Sequence, residues 1–384
     1  MVAVFRVPAH VPFEGLLQPN ESPLWDHTVA GAASWAIEKA GFSESTGVPE
    51  GPCLLLRDRV AVRPEALQAA WELGQERGES CSLVLGGECG EFLQKLPGSE
   101  SGPVLAYLSD GEVPDQLGRL PQVVLEPAEK SLDLTLHDAK VQVYLSDRLL
   151  MPLDHWVDLL WANLLGLGPR IWGRALGRPA FFAVLRLIWG ALRSLSVRHE
   201  KIAARLNVLG DGCRIHPSAV VEACVLGKGV SVGAGAVLRG CILGDGVSVE
   251  ELVVCEGVVA GKGALIQRQA LIKYAVMASG AAIGGATQLS VMGADSSLKR
   301  GGFGMDQSFD GAVRYRIGGL LLEAPHGLLG ICLGENSKIG AGVAVAPGRA
   351  ISPGCRIIAG AVVDPTVDEP GLYRVEAGRL EPLK

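Results

Sequence analysis

Aromatic residues make up only 5% of the chain, and there are seven histidines in 384 residues. The nine cysteines follow no metal-ligand spacing and no small-scaffold disulfide pattern. Both the cysteine usage and the absence of a charged-then-apolar leader at Met1–His10 point to a reducing cytoplasm. The apolar run from Leu159 to Pro169 has eleven residues, too short to span a bilayer. No phosphate-loop or dinucleotide fingerprint occurs. Gly301-Gly302-Phe303-Gly304 has no flanking strand and helix to make it one. With a net charge of −6, nothing points to nucleic acid as a partner.

Glycine is abundant, with 51 residues, and hydrophobic residues reach 48%. That composition excludes disorder and suits short strands joined by tight turns. The decisive signal is an internal repeat. Short blocks open with Leu209, Ile215, Val221, Leu226, Val232, Leu238, Leu243, Val249, Cys255, Ala260, Ile266, Ile272, Met277 and Ile283. Their spacings run six, six, five, so that every third block recurs after seventeen residues. A second phase, Leu333, Ile339, Val345, Ile351 and Ile357, has a uniform spacing of six. No helix and no alternating sandwich strand gives this period. It predicts a three-sided left-handed parallel β-helix in which each opening residue points inward and a following glycine permits the corner. Between Ala286 and Pro325 no hexads are evident, so a long loop at 286–326 is expected, of the kind that carries function or an oligomer contact. Cys224 and Cys241, seventeen apart, read as stacked core fillers, with Cys213 and Cys255 inside the coils as well.

Residues 1–150 read as a separate α/β domain. Strand-like runs at Cys53–Leu56, Ser82–Leu85, Val104–Leu108 and Val141–Leu145 alternate with helical stretches at Ser34–Lys39 and Pro64–Gln75. Residues 151–207 form a basic, Trp-rich helical connector with eight basic side chains against three acidic ones. Trp156, Leu159, Leu160 and Leu164 fall at helical spacing, and Pro169 and Pro179 are expected to divide the stretch into helices. Its segment 170–200, with Trp172, Trp189, Arg186 and Arg193, suits peripheral contact with an anionic membrane. The β-helix is expected over 208–365 and a tail over 366–384.

The segment GPCLLLRDRVAVRPEALQAAWELGQERGESCSLVL resembles the centre of sugar-1-phosphate nucleotidyltransferases, with Asp58 where that family holds its metal. Ser22–Phe42 resembles the helix after their signature loop. The order of α/β domain, helix and β-helix resembles the bifunctional enzymes that make UDP-N-acetylglucosamine. That resemblance implies a hexapeptide acyltransferase acting on a sugar or nucleotide-sugar. It implies acyl-CoA or acetyl-CoA as donor and a trimer whose cleft lies between adjacent prisms. Met1–Asn20 lacks the glycine-rich triphosphate loop, and Glu21-Ser22 replaces its lysine. The N-terminal domain therefore reads as a shortened, degenerate one, Asp58 as a vestigial metal position, and no bound metal is expected.

The β-helix region has two histidines, His216 and His326. His326, where the loop rejoins the solenoid, is the candidate general base; His216 reads as a corner residue. The resemblance also implies substrate contacts from Lys273 and Tyr274. Arg239, Arg268, Lys299 and Arg300 could meet phosphate, and Gly340, Gly342 and Arg349 lie in a segment resembling the coils that line a CoA groove. Two alternatives stay open: a non-catalytic β-helix assembly or binding protein, and a surviving sugar-1-phosphate nucleotidyltransferase.

Overall fold

A computed structural model describes residues 2–9, 13, 16, 19–127, 129–136, 139–176, 206–376 and 379–383. The expected membrane-facing part of the connector, including Arg186, Trp189 and Arg193, falls largely outside these. The chain forms two compact units. One is built from 1–14 and 19–166, the other from 15–18 and 167–384. No helix among the described residues is long and apolar enough to cross a membrane.

The first unit is an α/β domain around a six-stranded mixed sheet. Its strand order is Ser43–Ser45, Ala3–Val7, Cys53–Arg57, Leu105–Leu108, Cys81–Leu85, Gln122–Leu125. Ala3–Val7 runs parallel to both of its neighbours. Cys53–Leu56 is apolar on every residue and buried on both faces, as a central strand requires. Helix α1 (Val29–Lys39) starts at Thr28, whose hydroxyl accepts the Gly31 N–H at 3.1 Å. Helix α2 (Pro64–Arg77) starts on Pro64 and stops at Gly78, which takes the left-handed conformation. Glu129–Leu136 and Ala139–Ser146 pair as an antiparallel hairpin.

The boundary differs from the expected one at residue 150. Leu150–Pro152 pairs with Val60–Val62, and the following helix buries Trp156 and Trp161. The Asn163 amide holds the chain of Pro23 and Trp25: its Oδ1 accepts the Trp25 N–H at 2.8 Å and its Nδ2 donates to the Pro23 carbonyl at 3.0 Å. Residues 151–166 are therefore part of the first core. The helix, Trp156–Leu176, also runs through Pro169 rather than breaking there. One proline late in a long helix forfeits a single main-chain hydrogen bond.

The second unit is the left-handed parallel β-helix. Its three sheets are parallel, eight short strands each, with a terminal pair added to one of them. Leu226 pairs with Leu243, Val232 with Val249, and Leu238 with Cys255, each seventeen residues on. The inward column Leu226, Leu243, Ala260, Met277, Met292, Leu333 and Ile351 is at most 3% exposed. Each rung thus completes its core only against the next. The exception is the first rung, where Leu209 is 51% exposed.

Three features depart from the expected layout. The coils continue beyond Ile283: Ala286–Gln288, Val291–Met292, Ser297–Leu298 and Phe303–Gly304 all join the three sheets. The rung that starts them is only fifteen residues long, since Met277 pairs with Met292. Thr287 and Gly304 take inward places where aliphatic side chains stand in other rungs. Thr287 is accommodated because its hydroxyl meets that of Ser290 at 2.6 Å. The true excursion therefore begins after Gly304 and ends before Cys332. The expected tail is not separate either: Leu372–Glu376 pairs with Arg356–Ile357 and folds back on Arg379–Pro382. Tyr373 covers the end of the core at 9% exposure.

Candidate functional site

The excursion leaves the solenoid at the corner after Phe303–Gly304 and returns into Cys332–Leu333. Its body is a hairpin of Arg314–Ile317 with Leu320–Glu323, turned at Gly318-Gly319. The neck is closed by main-chain bonds from Val313 N to Gly327 O (3.0 Å), Ala324 N to Val313 O (2.8 Å) and Leu329 N to Asp306 O (3.0 Å). Gly330 then stacks on Gly348, whose N–H donates to its carbonyl at 2.7 Å.

His326 stands in this neck. It is exposed, between the buried residues Ala324, Pro325 and Leu328. Its backbone is left-handed, with φ 59° and ψ 12°, a conformation uncommon for a residue with a side chain. Nine other non-glycine residues among those described also take positive φ, so the conformation marks a tight turn held by its surroundings.

Arg349 lies at the same neck. Its Nη1 donates to the carbonyls of Arg314 and Pro347, both at 3.2 Å, and its Nη2 meets Asp364 Oδ1 at 3.2 Å. Its Nε donates to the Asp364 carbonyl. These bonds make it a clamp on the excursion, so a role in holding a donor phosphate would have to compete with four acceptors. Gly340 packs on the next rung: a Cβ there would lie 2.5 Å from Ala359 N. Gly342, with φ +67°, has open space where a side chain would be, and its N–H donates to the Arg300 carbonyl at 3.2 Å. Arg300 and Gly342 are thus neighbours, and Arg300 is exposed.

Three other cationic candidates are engaged along the solenoid, while Lys299 is exposed beside Arg300. Arg239 Nε meets Glu222 at 2.9 Å, Arg268 meets Glu251 at 3.0 Å and Lys273 meets Glu256 at 3.4 Å. Each partner is seventeen residues earlier, one rung away. Tyr274 also donates to Glu256, at 3.2 Å. Burial, with the Glu256 charge beside it, pushes the phenol above its usual range. These residues form cross-rung pairs. The signal for this pairing was in the sequence, as opposite charges at an offset of seventeen. His216 takes a corner role: its Nδ1 lies 2.8 Å from Ser218 Oγ and accepts the Ser218 N–H at 3.2 Å.

In the first unit, Asp58 follows the strand Cys53–Arg57, as the resemblance requires. Its Oδ1 is 2.5 Å from Arg6 Nη2, and Arg6 also meets Glu44 at 3.3 Å. The carboxylate is engaged by a guanidinium. Among the described residues no group of three or more His, Cys, Asp or Glu side chains is placed to hold a metal.

No family model and no curated protein matches the chain. Solved structures do. The polysialic acid O-acetyltransferase OatWY is 14% identical, over 46% of this chain and 87% of its own, with a TM-score of 0.20. The UDP-N-acetylglucosamine acyltransferase of Francisella novicida is 16% identical, over 46% of this chain and 68% of its own, with a TM-score of 0.21. The acetyltransferase domain of PglB from Neisseria gonorrhoeae is 14% identical, over 78% of this chain and 98% of its own, with a TM-score of 0.16. All three are acyl- or acetyltransferases. At identities and scores this low, nothing about the activity of the present chain follows from them.

Proposed function

We propose that this protein is a hexapeptide-repeat acyltransferase that moves an acyl group from acyl-CoA to a sugar or nucleotide-sugar. The observation that carries the reading is the neck of the excursion. The stack of rungs is interrupted there by its longest insertion, and the chain returns through an exposed histidine held in a left-handed conformation. In this reading the His326 imidazole takes the proton of an acceptor hydroxyl or amine. The acceptor oxygen or nitrogen attacks the thioester carbonyl, the carbon–sulfur bond breaks, and the CoA thiolate leaves with the proton returned from the imidazolium. Gly342, open where a side chain would stand, and the exposed Arg300 beside it belong to the donor groove. Acetyl-CoA is the simplest donor. The working form is a trimer, with each cleft completed by a neighbouring prism.

The test is thiol release from acetyl-CoA in the presence of sugar phosphates and nucleotide-sugars. Release that disappears in His326→Ala and persists in His216→Ala supports the proposal. No release with any acceptor, and no shift of the melting temperature by millimolar CoA, refutes it. The second reading is a non-catalytic assembly or binding protein. It is favoured by the pairing of Arg239, Arg268 and Lys273 with carboxylates of the adjacent rung, which partly neutralises the charge they could offer a substrate. Nucleotidyl transfer is not proposed, because the Asp58 carboxylate is engaged by Arg6.

A further inference from the structure

The first unit has a cleft of about 370 Å³ lined by Val7, Pro8, Leu55, Arg57, Ser101 and Leu117, among others. Its position follows from the topology of the sheet. From Ala3–Val7 the chain goes first to Ser43–Ser45 on one side and then to Cys53–Arg57 on the other. The strand order therefore reverses between Ala3–Val7 and Cys53–Arg57. Open α/β sheets bind ligands outside the carboxyl ends of the strands at such a reversal. Val7 and Arg57 are the last residues of these two strands, and both line the cleft.

The chemistry of the wall is uneven. Arg57 is 7% exposed and its Nη2 donates to Asp154 Oδ2 at 2.7 Å. Its Nε is buried and has no hydrogen-bond partner among the described residues. Asp154 does not belong to Arg57 alone. The same Oδ2 accepts from Ser101 Oγ at 2.5 Å, and Oδ1 lies 3.5 Å from Arg59 Nη2. A guanidinium at the cleft wall with donors left unmatched favours an anionic partner, even with Asp154 beside it. Around it Val7, Pro8, Leu55 and Leu117 make an apolar wall. At the mouth, Glu100 and Asp115 add negative charge. That charge disfavours a polyanion.

We infer that this cleft binds a small organic anion through Arg57: one oxyanion head, carboxylate or phosphate monoester, on a compact apolar body. The site is independent of the acyl-transfer reading, since it uses no residue of the β-helix.

The experiment is titration calorimetry on the full chain with benzoate, phenyl phosphate and the neutral isostere benzamide. Saturable binding of benzoate or phenyl phosphate but not of benzamide supports the site, and the preferred anion identifies the head. Arg57→Met is expected to weaken binding by at least about tenfold, the scale of a charged hydrogen bond. It removes one partner of a buried ion pair and leaves Asp154 with Arg59 and Ser101, so the fold is destabilised. Leu117→Trp, at the half-buried rim, blocks the cleft without touching Arg57 and should give the same loss if Arg57→Met does not fold. Failure of both anions to bind the wild-type chain overturns the inference, as does unchanged binding in Leu117→Trp.

Discussion

Arg349 grips the main-chain oxygen of Arg314, thirty-five residues earlier, with Nη1 at 3.2 Å. One side chain of the solenoid thereby fastens the excursion that carries His326. Arg349→Ala removes this grip and the bonds to Pro347 and Asp364. The expected outcome is faster limited proteolysis within residues 306–330, with the cleavage pattern of the solenoid unchanged. Cleavage at the wild-type rate would mean that the neck's main-chain bonds suffice. Arg349→Lys should be intermediate, because an ammonium cannot serve several carbonyls from a fixed plane.

Tyr274 lies over Gly257 of the adjacent rung. A Cβ at Gly257 would stand 2.6 Å from the tyrosine ring, in a residue with φ +63°. Gly229 has a similar φ of +66° but open space around it. Gly229→Ala should cost about 1–2 kcal/mol, the strain of a left-handed residue. Gly257→Ala should cost more, since the ring must also move. Hydrogen exchange at the flanking rungs would show the difference as a larger loss of protection for Gly257→Ala.

Leu243 is 1% exposed in the middle of the inward column. Leu243→Ala should destabilise its rungs by about 2–5 kcal/mol, the usual cost of a buried leucine cavity. Because neighbouring rungs support each other, protection should fall most at Leu226 and Ala260 and fade beyond them. Uniform loss along the whole solenoid would contradict this nearest-neighbour picture.

Asp158 is fully buried at the start of the helix Trp156–Leu176. Burial pushes its carboxyl up to about 7, against the lowering effect of the N–H groups of Gly98, Asp154 and His155. The folded chain then holds a proton between pH 4 and 7 that the unfolded chain has released. The contribution of Asp158 to stability is full below about pH 4 and is lost as pH rises toward about 7. Asp158→Asn cannot ionise and should remove this fall. Thermal melts of both forms, followed by the fluorescence of the buried Trp156 and Trp161, check it. Parallel pH profiles would exclude a raised carboxyl.

Eight cysteines are buried, Cys213 is only partly so, and all nine are free. Burial raises the thiols of Cys241, Cys255 and Cys332. Native protein should therefore show about one thiol reactive toward a disulfide reagent, and denatured protein all nine. Rapid reaction of Cys224 and Cys241 in the native state would contradict their role as core fillers.

The seventeen-residue rung was legible in the sequence because an aliphatic inward column and corner glycines repeat together, from Leu226 through Leu243 to Ala260. The next rungs were not, because two residues were dropped and because Thr287 and Gly304 stand inward. A subtler signal survived: Val276-Met277 recurs as Val291-Met292 fifteen residues on. The helical face of Trp156, Leu159, Leu160 and Leu164 was readable, but its allegiance was not, since that rests on Asn163 reaching Pro23 and Trp25 across the chain. The charged candidates misled for a related reason. Read one at a time, Arg239 and Lys273 look available; only the rung spacing places Glu222 and Glu256 beside them.

The excursion enters and leaves at one corner. Excising residues 307–329 would leave six steps from Gly304 to Leu333, the same stride as from Val345 to Ile351. The insert is therefore a removable cassette: a shortened chain could close its ring without disturbing the stack, and a foreign segment could be grafted in its place.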